Sequence, residues 1–409
     1  MQKETFGRSR RLRHLGCNPP WAQRQLEAEA SRSRALLRCG WVVAAGMSLA
    51  PVAGAQNAVV LYGNVDAGVA VLRNDAPGGG TLKALASGMN SASRWGMRGS
   101  EDLGGGLSAI FQIEAGIDLD VGAAKPFAGN PGTATPTLPN GTTGTGFNRR
   151  SYVGLESKSW GGLRLGRDYT AIYYSLVDAD VMRLGMFGNL QQIIAPGGGS
   201  ERFARASNAI FYNSPRVAGV VGRAFYSLGS EGSGGPGALP KDANRFFGVE
   251  ADYASGSLFV TASYQQLAFP VVAGAAFTGA TADRKDALVA AKYSFGNYAV
   301  GTGYWKMGSP QSVTDTWLGA SAAFGLNTFF VQVQRLRQDN PAGEARRGTV
   351  LALAYTYTLS RRTALYASYG QTNNNATGAF GVTSSDFALA AGGAGADPSA
   401  LGFGIRHNF

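Results

Sequence analysis

His407 is the only histidine beyond residue 55 of this 409-residue chain, and its position limits what chemistry the sequence can do. Serine hydrolysis needs a histidine base within reach of a serine. His407 is third from the last residue, in a segment where Leu401, Phe403, Ile405 and Phe409 share its parity and form an apolar face. There it reads as an interfacial residue and not as a general base. Gly104–Gly106 and Gly197–Gly199 are glycine runs without the strand, loop and Lys-Ser/Thr context of a phosphate loop, so they read as turns. Glu101 and Asp102 form a carboxylate pair in a tight turn, where solvated charges are usual. Both cysteines, Cys17 and Cys39, fall in the first 55 residues, which leaves neither a disulfide nor a cysteine-ligated zinc downstream. No catalytic constellation, metal site or cofactor is implied, and the chain does not read as an enzyme.

The elements around these residues begin with a leader. Arg32, Arg34 and Arg38 precede an uncharged run from Gly40 to Pro51, followed by Val52-Ala53-Gly54-Ala55-Gln56. A basic stretch, a short apolar stretch and an Ala-x-Ala site predict a secretory signal that is removed, with residues 1–55 as extension plus signal and 56–409 as one domain. An apolar run of about 12 residues is too short for a membrane-spanning helix. The leader also carries much of the positive charge. Beyond it remain 28 of the 37 Lys+Arg and 23 of the 26 Asp+Glu. Nucleic-acid binding loses its support, because that electrostatic footprint must lie on the folded domain.

Residues 56–409 contain no run of eighteen apolar residues, which excludes a helical membrane protein. They contain instead sixteen segments in which apolar and small or polar residues alternate: 58–73, 90–101, 106–120, 147–157, 161–170, 207–214, 217–228, 243–255, 257–267, 283–295, 297–307, 314–325, 327–338, 346–359, 363–372 and 398–409. Tight connections such as Asp102–Gly105, Lys158–Trp160, Gly296–Asn297 and Ser360–Arg362 join the segments in pairs. Long Gly/Ser/Pro-rich stretches such as 74–89, 121–146, 229–242 and 373–398 separate the pairs. Short turns on one side and long loops on the other predict an all-β fold, a 16-stranded antiparallel transmembrane β-barrel. The final segment agrees. An apolar strand ending on Phe409 would be an exposed edge unless it paired with the first strand, as a barrel requires.

One connection differs in content. After Arg167-Asp168-Tyr169 the chain runs through Thr170-Ala-Ile-Tyr-Tyr-Ser-Leu-Val and on to Met186-Phe-Gly-Asn189, a loop rich in aliphatic and aromatic residues. So much apolar area should fold against something. Inside a barrel it would narrow the lumen; packing on a neighbouring subunit is the alternative.

The chain resembles the general porins of Gram-negative outer membranes, the beta-proteobacterial branch in particular. The resemblance is carried by Val60-Leu-Tyr-Gly-Asn-Val-Asp-Ala-Gly68, by Ser93-Arg-Trp-Gly-Met-Arg-Gly-Ser-Glu-Asp-Leu-Gly-Gly-Gly-Leu107, by Arg149-Arg-Ser-Tyr-Val-Gly-Leu155, by Leu165-Gly-Arg167 and by Phe409. It implies a homotrimeric diffusion channel in the outer membrane, with lipid and lipopolysaccharide around it. It also implies a third extracellular loop folded inward (here 168–206), and a terminal aromatic read by the barrel assembly machinery. The family sets arginines on the wall against acids on that loop, in a transverse field that filters ions. Carried over by motif, the wall arginines are Arg94, Arg149 or its neighbour Arg150, and Arg205, and the loop acids are Asp178 and Asp180. Within a strand, Arg149 and Arg150 would point to opposite faces, so only one is expected to line the lumen. The usual second loop acid is Met186 here, and Arg183 lies nearby, so the negative side is weakened and a modest anion preference follows. Asp66 points inward by parity or caps a local network.

Two function classes remain. One is a passive pore for small hydrophilic solutes and ions; the other is a solute-selective channel, or a barrel acting as adhesin or structural protein. A sugar-selective channel would need a continuous aromatic track along its lumen, whereas Tyr355 and Tyr357 fall on the outward parity.

Overall fold

The computed structural model describes residues 58–75, 80–125, 146–193, 204–229, 240, 242–273, 276–308 and 312–409. The expected leader, residues 1–55, lies outside them.

Sixteen strands form the wall: β1 (Ala58–Arg73), β2 (Arg94–Gly104), β3 (Leu107–Asp118), β4 (Arg150–Ser157), β5 (Gly161–Tyr169), β6 (Arg205–Asn213), β7 (Val220–Ser227), β8 (Phe246–Ser255), β9 (Leu258–Ala273), β10 (Ala276–Phe295), β11 (Tyr298–Gly308), β12 (Val313–Phe324), β13 (Asn327–Gln338), β14 (Arg346–Thr358), β15 (Thr363–Asn374) and β16 (Ser399–Asn408). Each pairs antiparallel with the next, and β16 pairs with β1 from Asn64↔Asn408 to Arg73↔Ser399, which closes the barrel. Closure gives every wall strand a partner on each side, so that no strand of the wall is a free sheet edge.

The faces alternate as the sequence predicts. In β13, Phe329, Val331 and Val333 are exposed while Gln332, Gln334, Leu336 and Gln338 are buried. In β14, Leu351 and Leu353 face out while Val350, Ala352 and Ala354 are buried. A barrel that is apolar outside and polar within is the arrangement a bilayer requires.

Two stretches depart from the sequence reading. The connection expected over 74–89 contains a strand, Thr81–Ser87, paired with the upper half of β1 from Ala67↔Ser87 to Arg73↔Thr81. The lower half of β1 pairs with β2 instead. Residues 88–93 loop out between them, held by Asn64 Nδ2 donating to the Ser91 and Ala92 carbonyls and by Asp66 accepting from Ser91 N–H at 2.9 Å. Asp66 also accepts from Tyr366 Oη at 2.6 Å, so it serves this local network. The other departure is that β9 and β10 run well beyond the expected 257–267 and 283–295. Their extra residues pair only with each other, so alternation against a two-sided wall has no hold there.

The loop after β5 opens with α1 (Ala171–Ala179), whose Ala171, Ile172, Ser175, Leu176 and Ala179 form one buried face at helical spacing. The segment packs on strand positions of the buried parity. Ser175 Oγ lies 2.7 Å from Thr261 Oγ1 in β9, Phe187 N–H donates to Ser368 Oγ in β15 at 2.7 Å, and Gln334 Nε2 in β13 donates to the Gly188 carbonyl at 2.5 Å. Two glycines permit the approach. A Cβ on Gly301 would stand 2.5 Å from the Ala179 carbonyl oxygen, and one on Gly370 would stand 2.9 Å from Phe187. Ile172, Leu176, Leu184, Leu190 and Ile193 share an apolar cluster with Leu288, Trp305, Trp317, Leu336 and Val350 of the wall.

Candidate functional site

The charged wall is assembled where β2 to β8 meet the root of this loop. Arg94 is the first residue of β2. Its Nη1 donates to the Ala92 carbonyl at 2.8 Å and to Ser91 Oγ at 3.1 Å, and its Nε lies 3.6 Å from Glu114. The looped-out 88–93 stretch therefore aims this side chain. Glu114, buried in β3, also accepts from Arg149 Nε at 2.8 Å and from Tyr62 Oη at 2.9 Å.

Arg149 and Arg150 do not diverge as strict alternation would have them do. β4 begins at Arg150, so Arg149 lies in the preceding connection and is free of the strand's parity. Arg149 Nη2 donates to Tyr169 Oη at 2.6 Å. Arg150 donates from Nε to Asp168 at 3.0 Å, from Nη1 to Gln112 at 3.2 Å and from Nη2 to Tyr174 Oη at 3.2 Å, and its Cζ lies 4.8 Å over the Tyr169 ring. Asp168 takes a second guanidinium, Arg164 Nη1 at 2.5 Å.

Arg205 opens β6 beside a bulge. Gly166 pairs with Ala209 and Asp168 with Ala206, so two residues of β6 oppose one of β5, and Asn208 takes the left-handed φ of 51°. The bulge re-aims the strand, and Arg205 comes to lie with its Cζ 4.8 Å over Tyr169 and its Nη2 at 3.3 Å from the phenol oxygen. Further along, Arg223 in β7 donates to Glu250 at 2.7 Å and to Asp252, both in β8, and stacks over Tyr174 at 5.0 Å.

The loop acids sit differently. Asp178 lies 3.5 Å from Arg183, which is half-exposed in a left-handed conformation, and the Asp178 carbonyl accepts from Lys292. Asp180 is fully buried and turned into its own loop, where its carboxylate accepts N–H groups from Met182 at 2.9 Å and Leu184 at 2.8 Å. Burial raises its pKa to about 6 although those two N–H groups pull the other way. Met186 is buried, its N–H donating to the Met89 carbonyl, so it ties the loop to the looped-out stretch.

The structure thus gathers Arg94, Arg149, Arg150 and Arg205 around Glu114 and Tyr169, and leaves Asp178, Asp180 and Arg183 to the loop's own organisation. The wall acids Glu114, Asp168, Glu250 and Asp252, and the arginines Arg164 and Arg223, were not singled out from sequence. Parity was the available signal: Glu250 and Asp252 alternate with the outward Val249, Ala251 and Tyr253.

Comparison with known proteins agrees with the barrel fold. A family profile described as Gram-negative porin matches residues 41–377. Outer membrane porin protein 32 of Delftia acidovorans is 29% identical over 377 residues, covering 90% of this chain and 99% of its own. Among solved structures, the anion-selective porin from Comamonas acidovorans superimposes with a TM-score of 0.70 at 28% identity, over 87% of this chain and 100% of that one. A trimer form of Vibrio cholerae OmpT, at 17% identity, shares the fold with a TM-score of 0.57 over 86% of this chain and 99% of its own.

Proposed function

The chain belongs to the family of Gram-negative porins, and from that membership we propose that it passes small hydrophilic solutes and ions with a preference for anions. It is an outer-membrane diffusion channel and not an enzyme. The preference is our reading, and one observation carries it. At the root of the loop, Arg94, Arg149, Arg150, Arg164, Arg205 and Arg223 are gathered with Glu114, Asp168, Glu250 and Asp252, so guanidiniums outnumber carboxylates in this set. In a narrow lumen at an effective dielectric of roughly 20, each unbalanced charge near a permeating ion is worth on the order of 1 kcal/mol after screening. That tilts permeation several-fold and leaves the pore open to both signs.

In this reading, the described parts of the 168–206 loop, residues 168–193 and 204–206, narrow the lumen as the constriction, and residues 194–203 lie outside the described residues. The support is that the loop's contacts fall on Thr261, Gly301, Gln334, Ser368 and Gly370, all opposite the exposed aliphatic face. Arg94 and Arg150, each with about a quarter of its side chain exposed, would meet permeating ions, while Arg149 and Arg205 act through the field from behind. Residues 1–55 are the removed leader, and the working assembly is a homotrimer in lipid and lipopolysaccharide, delivered by the barrel assembly machinery. Reversal potentials across a potassium chloride gradient in planar bilayers test the preference. A sign favouring chloride, weakening as salt rises, is expected; a potassium preference overturns it.

A further inference from the structure

We propose that Tyr169 sets the strength of the filter by holding Arg149, Arg150 and Arg205 together without neutralising them; the inference rests on the anion-filter reading above. The three arginines arrive from separate places, Arg149 from the connection before β4, Arg150 from β4 itself and Arg205 from the start of β6. Three like charges repel, so something must gather them. Glu114 and Asp168 take one each, Arg149 and Arg150, and among the described residues all three converge on Tyr169.

Its phenol uses both of its chemical faculties. The oxygen accepts from Arg149 at 2.6 Å and from Arg205 at 3.3 Å, and the ring lies under Arg150 and Arg205, each Cζ 4.8 Å from the centroid. Cations over an aromatic face are attracted by its quadrupole, and the attraction grows as water is excluded. Tyr169 is itself buried, and Tyr173 of α1 stacks on it with centroids 4.1 Å apart at 8°, so the ring is fixed by the loop's first helical turn. A carboxylate at this position would bind the same guanidiniums but cancel one of their charges. A phenol satisfies their N–H groups and leaves the sum unchanged. Tyr169 is therefore a positioning and specificity-determining residue. It couples the seat of the loop to the density of positive charge beside it.

The test is the reversal potential of Tyr169→Phe trimers in planar bilayers, a quantity that does not depend on how many channels insert. Phenylalanine keeps the ring and removes the acceptor, so the buried guanidiniums spread, and the chloride-to-potassium permeability ratio should fall roughly twofold. Arg205→Lys is the companion variant. It keeps the charge but not the planar stack, and it should lower the ratio likewise. Should Tyr169→Phe fail to assemble, Arg205→Lys decides alone. An unchanged ratio in these variants, beside a lowered one in Arg94→Ala and Arg150→Ala, overturns the role of Tyr169 and leaves the filter standing. An unchanged ratio in all four overturns the filter itself.

Discussion

Gly63 and Phe409 exchange both of their backbone hydrogen bonds, N–H to carbonyl in each direction at 3.0 Å, and the Phe409 ring covers the Gly63 Cα. A Cβ on Gly63 would lie 2.1 Å from the ring's Cζ. The bare glycine in β1 is thus the seat of the terminal aromatic, and the two residues complete the seam between first and last strands. At its other end the seam passes under Met89 and Phe187, which pack on Gly402 of β16.

Closure at this seam makes the first prediction. Deleting Phe409 should lower the folded protein recovered from the outer membrane while surviving channels conduct as before. Gly63→Val should act the same way, because its side chain displaces the ring. Heat-modifiable mobility on gels measures both; normal yields of folded barrel from either variant would remove this account.

Loop seating gives the second. Gly370→Val places methyl groups where the Phe187 backbone and side chain now rest, and overpacking of this kind costs about 1–3 kcal/mol. The loop should lift, raising unitary conductance and the frequency of current substates. Conductance equal to the parent's would mean that the loop does not limit flow.

Charge gives the third. Arg94→Ala and Arg150→Ala should each reduce the chloride-to-potassium permeability ratio, and Glu114→Gln should raise it, since that acid faces Arg94 and Arg149. Opposite signs from the two kinds of substitution distinguish a field effect from general disturbance.

The fourth concerns pH. The buried Asp180 has its pKa raised to about 6, above that of an unfolded aspartate near 3.9, so the folded loop holds a proton that the unfolded chain releases between those values. Its contribution to seating the loop is present below about pH 4 and is lost as pH rises to about 6. The thermal midpoint of trimer dissociation should therefore decline across that window by more in the parent than in Asp180→Asn. Parallel profiles would show that Asp180 stays ionised in the loop.

Oligomeric state gives the fifth. The exposed aliphatic residues of β1 to β5, Val59, Leu61, Val69, Val153, Leu155, Leu163 and Leu165 among them, should bury a subunit contact in a homotrimer. Mild detergent extraction should yield a trimer-sized band that heating converts to monomer. A monomer under the gentlest extraction would count against it.

Much of the barrel was legible because alternation is a local property. Each of the sixteen predicted segments coincides with a wall strand, and the outward sets in β13 and β14 match by residue. Alternation failed where a strand had no wall to alternate against, as in the outer ends of β9 and β10. It also failed where the strand was interrupted, as between Thr81–Ser87 and β2. The site was less legible. Arg94, Arg149 and Arg205 were reached through motifs, and Asp168 and Tyr169 stood in view in Arg167-Asp168-Tyr169, but nothing local told which side chains they would meet.

The sequence by itself determined the class of molecule. Period-two patterning, paired short and long connections and a terminal apolar strand admit a closed barrel, because each follows from backbone geometry and the need to pair every strand. Only the tertiary structure decided the filter. Arg149 joins Arg150 because β4 starts one residue later, and Arg205 reaches Tyr169 because a bulge turns β6. Asp180 faces inward to its own loop because two backbone N–H groups hold it there. These are contacts between residues 19 to 36 positions apart, or local geometry set by packing, and neither spacing nor composition encodes them.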